Sequence, residues 1–254
     1  MSNEVIVFYD IPSKAPGSAW SPNTWRIRYA LNYKALPYKT VWVEYPDIAD
    51  VCKAIGAEPT MIRKNGTPYY TLPVIQDPKT GAVISDSAHI AHYLDSTYPD
   101  TPKLIPQGTH TLQKTFRIEY DRCTDPLTPY IIPAVVEILR PKSEEYFVRT
   151  REAIFGKKIA DMVPTGEAHE VAWKAVETGF GKLNGWMRED DPFVMGDVLS
   201  FADFVVAGDL QWCRKAFGEE DVKWKEMMVW HGGRWSKLLK NLEKYEGLVE
   251  EVSE

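Results

Sequence analysis

The chain has 254 residues, of which 44% are hydrophobic and 26% charged, as in an ordinary globular protein. Its 36 acidic and 30 basic residues give a net charge of −6, which argues against nonspecific binding to nucleic acid or to anionic membranes. The three cysteines, Cys52, Cys123 and Cys213, form neither a CxxC motif nor a zinc-binding spacing with histidine, so no disulfide framework and no metal site is predicted.

The first predicted element is a strand. Val5 to Tyr9 is a run of β-branched and aromatic residues that Pro12 closes, which is typical of a buried strand. This segment lacks the basic start and long apolar run of a secretory signal. No later run approaches the length of a membrane span, so we expect a reduced, cytoplasmic protein.

The next elements alternate helices with strands. Ser21-Pro22 predicts a helix start, with serine at the N-cap and proline at the first helical position. The following elements are a strand at 38–45, a short helix at 47–55, strands at 71–76 and 82–84, and a helix opened by Ser85-Asp86-Ser87. The order β-α-β-α-β-β-α predicts an α/β, thioredoxin-like domain with a mixed sheet.

A proline-rich stretch from Pro99 to Gly108 separates this half from one dominated by helical periodicity. We therefore predict two domains, a thioredoxin-like domain at 1–99 and an all-α domain at 109–254.

Leu72-Pro73 is the first candidate binding motif. Proline is normally excluded from strand interiors, and a cis bond at a strand start exposes the main-chain groups of the preceding residue. Leu72 is then able to pair with an extended peptide as an added strand would. An ordinary edge-strand proline is the alternative.

The helix start at Ser85-Asp86-Ser87 is the second candidate. The positive end of a helix suits a carboxylate, Ser87 supplies a hydroxyl donor, and Asp86 is able to hold an ammonium group. A ligand with an α-amino-acid end needs this combination. The alternative is an ordinary helix cap.

Together, the Leu-Pro strand, the hairpin and the Ser-Asp-Ser helix start resemble the glutathione site of the glutathione transferases. Gly196 to Asp203 also resembles the family motif G-D-x-x-S-x-A-D, whose physical content is a capping box between Ser200 and Asp203. The resemblance implies that Leu72 and Pro73 grip the cysteinyl backbone of glutathione and that Asp86 and Ser87 bind its γ-glutamyl end.

The wider pattern is most similar to the fungal etherase-related transferases, also called fungus-specific class A. The residues that carry this likeness are Phe8 to Pro12, Trp20 to Arg26 and Thr71 to Ile75. The likeness implies conjugation of glutathione to hydrophobic or phenolic electrophiles, or cleavage of their ethers, in a homodimer. Sequestration of wood-derived phenolic compounds without turnover is the alternative function.

A transferase must stabilise the thiolate of glutathione, because the thiol is a poor nucleophile. Ser21 is the first candidate for this role, and Asn23 and Thr24 are alternatives. Tyr9 is a further rival, although Phe8 holds the position that the family gives to its tyrosine. No cysteine lies near Ser21, which argues against thiol-transferase chemistry.

The hydrophobic second-substrate site is expected to include aromatic residues. The candidates are Tyr9, Trp20, Pro129 and Tyr130. The last two are carried over from the first long helix of the family's second domain.

Overall fold

The computed structural model describes residues 5–247, so the outer ends of both predicted domains, 1–4 and 248–254, lie outside the described residues. The elements of the first half are β1 (Ile6–Asp10), α1 (Pro22–Tyr33), β2 (Tyr38–Trp42), α2 (Ile48–Ala54), β3 (Met61–Ile62), β4 (Pro68–Tyr69), β5 (Val74–Asp77), β6 (Ala82–Ser85) and α3 (Ser87–Thr97). Four of the strands form a sheet in the order β2-β1-β5-β6. β1 runs parallel to β2 and antiparallel to β5, which confirms the predicted mixed sheet.

The two faces of the sheet carry different helices. Phe8 is fully buried on the α1 face, where its ring centroid lies 5.2 Å from the guanidinium of Arg28. The neighbouring Tyr9 points to the opposite face, toward Cys52 of α2. This alternation is that of a strand covered on both sides.

A small hairpin between α2 and β5 was not predicted. β3 and β4 pair antiparallel, with Met61 opposite Tyr69, around a turn at Asn65-Gly66. Gly66 takes a φ of 80°, which glycine adopts without steric cost. Each of these strands has only two residues, and β4 includes Pro68. Segments this short show no alternation of polar and apolar residues, so the sequence pattern did not predict them.

The second half is helical, as predicted. It comprises α4 (His110–Thr124), α5 (Thr128–Ile138), α6 (Pro141–Phe155), α7 (Glu167–Gly185), α8 (Phe201–Phe217) and α9 (Val222–Leu242). α9 is interrupted at Trp230–Gly233, where the backbone leaves helical geometry. Within residues 5–247, no helix combines the length and the apolar character that crossing a membrane requires.

The start of α8 contains the predicted capping box. The backbone N–H of Ser200 donates to Oδ2 of Asp203 at 2.9 Å, and the N–H of Val194 donates to Oδ1 at 2.7 Å. The N–H of Phe201 donates to the carbonyl of Leu104 in the linker at 2.7 Å. The motif therefore anchors the interdomain linker as well as the helix.

α1 packs along α8 and joins the two halves. Gly208 of α8 permits the close approach, since a Cβ there would lie 2.6 Å from the carbonyl oxygen of Pro22. Two turns further along α1, the ring of Tyr29 stacks on Phe204 with centroids 5.6 Å apart. The helical half thus fixes the position of the first turn of α1.

Candidate active site

Ser21 lies at the N-cap of α1 in an extended conformation, with Pro22 in the first turn. Its carbonyl oxygen accepts the N–H of Trp25 at 3.0 Å, while its side chain makes no capping hydrogen bond. Within residues 5–247 the Ser21 hydroxyl has no hydrogen-bond partner, although the residue is only 5% exposed. The hydroxyl is therefore free to donate to a ligand.

The two neighbouring candidates differ in availability. The Thr24 hydroxyl is fully buried and donates to the carbonyl of Ser21 at 3.0 Å, so it is already used inside the helix. Oδ1 of Asn23 accepts from Arg26 at 2.6 Å. Because a guanidinium only donates, this bond turns the amide nitrogen of Asn23 away from Arg26 and leaves its N–H groups available.

The Leu72–Pro73 peptide bond is cis and precedes the first residue of β5. Sheet pairing begins at Val74, and among residues 5–247 the main-chain N–H and C=O of Leu72 take part in no hydrogen bond. These groups match the requirements of an extended peptide that pairs with the edge of the strand.

Asp86 is the N-cap of α3 and has a φ of 76°, a left-handed value that is rare outside glycine. Its Oδ1 accepts the N–H groups of Ala88 at 2.8 Å and of His89 at 3.3 Å, while Oδ2 has no partner within the described part of the chain. The Asp86 N–H donates to the carbonyl of Pro73 at 3.3 Å, which ties the helix start to the cis-proline segment. Ser87 follows in the first turn with a hydroxyl that no described residue engages.

Ser21, Asn23 and Leu72 share one cavity of about 390 Å³. A second cavity, of about 540 Å³, contains Asp86 and Ser87 on its lining and also reaches Asn23. The two cavities therefore adjoin at the first turn of α1. Both volumes lie within the range of small-molecule sites.

The structure places the four residues predicted for the second-substrate site outside the cavity that contains Ser21. Tyr9, Trp20, Pro129 and Tyr130 all lie off the lining of the 390 Å³ cavity. The Tyr9 hydroxyl donates to Gln76 on the neighbouring strand, and burial raises its pKa, which makes it a weaker acid rather than a better thiolate partner. Tyr9 lies away from this cavity because tertiary packing decides which sheet face meets it.

Trp20 and Tyr130 are packing residues. The Trp20 ring lies behind the cavity, 6.2 Å from that of Tyr45. The Tyr130 hydroxyl donates to the carbonyl of His169 at 3.1 Å, and its ring packs 5.0 Å from Trp173 in the helical domain. Pro129 lies in the first turn of the same helix, α5.

The sequence analysis did not predict several residues that line the cavity from the β3–β4 hairpin and its flank, the segment before α2, and α6. These residues are Tyr45, Arg63, Tyr69, Tyr70, Tyr146 and Arg151. The segment at 47–68 is long for a connection between a short helix and the strand that carries a proline, and this length is the only local signal in the sequence. The sequence of α6 gives none.

None of the three cysteines lies on the lining of this cavity. Cys52 is buried on α2, and burial raises the pKa of its thiol to about 11, so it is not a reactive thiolate. Among residues 5–247, no group of three or more histidine, cysteine or acidic side chains is arranged to hold a metal ion.

A thioredoxin-like domain with a cis-proline site, backed by a helical domain, defines the class of glutathione-dependent transferases. The family model for the glutathione S-transferase N-terminal domain matches residues 20–97, and the model for the C-terminal domain matches residues 111–245. The chain therefore belongs to the glutathione S-transferase family, whose members use glutathione as co-substrate.

Several proteins that are at least 34% identical to this chain are fungal glutathione transferases or proteins like them, which confirms the predicted fungal resemblance. The chain is 34% identical to the glutathione S-transferase-like protein ustS of Aspergillus flavus, over 91% of this chain and 87% of that protein. It is 48% identical to a glutathione S-transferase of Ceriporiopsis subvermispora solved in complex with glutathione, with a TM-score of 0.92 over 97% of this chain and 99% of that one. Glutathione transferase GSTFuA3 of Phanerochaete chrysosporium is 44% identical, with a TM-score of 0.89 over 97% and 99% of the two chains.

Proposed function

We propose that this glutathione transferase uses a glutathione thiolate, held beside Ser21, to attack the electrophilic carbon of hydrophobic or phenolic compounds. The observation that carries the proposal is that the Ser21 hydroxyl and the main-chain groups of Leu72 lie in one cavity and have no hydrogen-bond partner among residues 5–247. The product is a glutathione conjugate or, where the leaving group is an alkoxide or phenolate, a cleaved ether.

In this proposal glutathione lies across the two adjoining cavities. The main chain of Leu72, before Pro73, pairs with its cysteinyl residue. Oδ2 of Asp86 accepts the γ-glutamyl ammonium, while Ser87 and the first turn of α3 bind the neighbouring carboxylate. The similar Ceriporiopsis subvermispora protein was solved in complex with glutathione, which supports glutathione as the ligand.

The Ser21 hydroxyl stabilises the thiolate over the thiol. A donor to a charged acceptor contributes about 1.5–3 kcal/mol, and the helix N-terminus adds about 0.3–1 kcal/mol. At about 1.36 kcal/mol per unit, these contributions lower a thiol pKa of about 8.5 by roughly one to three units. Asn23 supplies a second donor, whereas the Thr24 hydroxyl is engaged by Ser21.

The chemical step is a displacement. A sulfur lone pair forms the new S–C bond, and the bond from that carbon to the leaving group breaks with its electron pair. An ether oxygen leaves as an alkoxide or phenolate and takes a proton from water. Positioning and thiolate stabilisation supply the catalysis, so no further cofactor is needed.

Sequestration of phenolic compounds in the same cavity is the alternative function. Four tyrosines line this cavity and favour aromatic ligands under either function: Tyr45, Tyr69, Tyr70 and Tyr146. A calorimetric titration with glutathione, followed by turnover assays with aryl ethers and halogenated aromatics, separates the two functions. Glutathione binding with turnover supports the enzyme. Binding of phenols without turnover supports the carrier.

Ser21→Ala tests the thiolate role directly. We expect kcat/KM at neutral pH to fall about ten- to hundredfold, with little change in glutathione affinity. Thr24→Val is the matched control, because it removes a hydroxyl of the same turn that does not face the cavity. Equal activity of Ser21→Ala and wild type would transfer the role to Asn23, which Asn23→Ala then tests.

The proposal also includes a homodimer, which the family resemblance implies, and the cytoplasmic location that we expect from the sequence. Light scattering after size-exclusion chromatography tests the dimer, and fluorescence microscopy of a tagged chain tests the location.

A further inference from the structure

Two arginines from different parts of the fold meet at the proposed thiolate cavity. Arg63 lies in the hairpin turn between β3 and β4, and Arg151 lies on α6 of the helical domain. Both line the 390 Å³ cavity together with Ser21, and the lining contains no acidic side chain. The cavity therefore carries two positive charges without a compensating carboxylate.

Neither guanidinium forms an ion pair anywhere in the described range 5–247. Each is stacked on an aromatic ring instead. Arg63 lies 4.3 Å from the ring centroid of Tyr69, and Arg151 lies 4.5 Å from that of Phe147. Stacking fixes the plane of a guanidinium and directs the N–H donors at its edge outward. One N–H of Arg151 donates to the Thr150 hydroxyl at 3.3 Å, and the remaining donors of the two guanidiniums are able to bind a planar anion.

Acids near the cavity already have partners. The Glu44 carboxylate accepts the Ser143 hydroxyl and lies 3.8 Å from Arg140. Asp47 lies 2.6 Å from Lys142. Both carboxylates thus pair with cations of the first residues of α6 or just before it, and within residues 5–247 neither forms an ion pair with Arg63 or Arg151.

The wall between the arginines is aromatic. The rings of Tyr45 and Tyr146 stack with centroids 6.1 Å apart. Burial raises the pKa of Tyr45 to about 12, so its hydroxyl stays neutral at physiological pH and adds no negative charge. A flat aromatic ligand fits such a wall, and its charged group reaches the guanidinium edges.

We propose that Arg63 and Arg151 together bind an anionic group, a carboxylate or phenolate, on an aromatic second substrate. The inference rests on the proposed function, since the site is useful only beside a reactive thiolate. An anion is repelled by the thiolate, and two guanidiniums offset that repulsion. The enzyme then prefers acidic aromatic electrophiles to neutral ones.

The glycine carboxylate of glutathione offers the same chemistry, so the experiment must separate the two sources. The probes are a chlorodinitrobenzoate and the matching chlorodinitrobenzamide, which share ring, leaving group and shape but differ in charge. Glutathione and its glycine amide form the second pair. The variants are Arg63→Gln, Arg151→Gln and the double substitution.

Two controls lie close by in the sequence. Lys157→Gln removes an exposed cation just after α6 that is off the cavity lining, and Lys64→Gln removes an exposed cation beside Arg63. Both are expected to behave as the wild type with every probe.

We expect wild type to favour the benzoate, and kcat/KM for the benzoate to fall about tenfold or more in each arginine variant. Turnover of the benzamide and the KM for glutathione are expected to change less than about twofold. A rise in the KM for glutathione that disappears with the glycine amide would assign the arginines to glutathione and overturn the inference. Equal losses for both electrophiles would also overturn it.

Failure of the proposed function gives a different result. If wild type turns over neither electrophile, the transferase proposal fails and the acid preference fails with it. If wild type turns over the benzamide without preferring the benzoate, only the acid preference is wrong.

Discussion

Arg26 of α1 and Asp209 of α8 form an ion pair of 2.9 Å across the domain interface, with side chains only 5% and 11% exposed. The same guanidinium donates to Oδ1 of Asn23 at 2.6 Å. The helical domain therefore orients a candidate thiolate donor in the first turn of α1. Burial lowers the pKa of Arg26, and Asp209 opposes that shift.

Asp209→Asn leaves the buried guanidinium without a counter-charge. We expect the free energy of unfolding to fall by about 3–5 kcal/mol, as for the loss of one partner from a buried pair. Glu219→Gln is the control, because it breaks the exposed pair with Arg214 and is expected to cost less than about 1 kcal/mol. Urea unfolding measures both, and equal small losses would contradict the structural role of the pair.

Asp86 combines a helix cap with a proposed ligand contact, and two substitutions separate these roles. Asp86→Asn keeps an acceptor for the cap and tolerates the positive φ, but it loses the charge. We expect glutathione to bind about ten- to hundredfold more weakly by calorimetry, with stability nearly unchanged.

Asp86→Ala is expected to lose the same affinity and also about 0.5–2 kcal/mol of stability, because the cap is gone. Asp221→Asn alters the N-cap of α9 and serves as the control for binding. Unchanged affinity in Asp86→Asn would show that the charge does not contact glutathione.

Gly208 tests the close contact between α1 and α8. In Gly208→Ala the new Cβ meets the Pro22 carbonyl at 2.6 Å, and overpacking of this kind costs about 1–3 kcal/mol. Because Pro22 follows Ser21, we also expect a lower kcat/KM. Gly185→Ala is the control, since nothing lies within 4 Å of its Cβ and the change is expected to stabilise by about 0.4–1 kcal/mol. Urea unfolding and a turnover assay distinguish the two variants.

The buried carboxyl group of Asp203 is expected to make the stability of the fold depend on pH. Burial raises its pKa from 3.8 to about 7, although hydrogen bonds from Val194 and Ser200 oppose the shift. Between these pH values the folded chain retains a proton that the unfolded chain has lost. The free energy of unfolding therefore falls as pH rises through this window, by at most about 1.4 kcal/mol per pH unit, and levels off above it.

Asp203→Asn is expected to be less stable overall and to lose this contribution to the slope. Denaturant unfolding at several pH values measures it, with Asp197→Asn as an exposed control in the same motif. Identical slopes for wild type and Asp203→Asn would assign the pH dependence to other groups.

The sequence alone determined the elements whose signals are local. The apolar run of β1, the Ser21-Pro22 helix start and the capping box at Ser200 and Asp203 each depend on neighbouring residues, and the structure contains all three. For Pro73 the local pattern left a cis bond and an ordinary edge-strand proline open, and the structure contains the cis bond. Local pattern fixes burial and backbone conformation, and these suffice for the fold class.

Only the tertiary structure decided which side chains face the cavity. In the structure, the hydroxyls of Thr24 and Tyr130 donate to main-chain carbonyls, whereas that of Ser21 has no partner among the described residues. It also brought Arg63 and Arg151 to one lining from distant segments. Contacts between distant segments depend on how helices and sheet pack together, and the periodicity of a single segment carries no information about its distant neighbours.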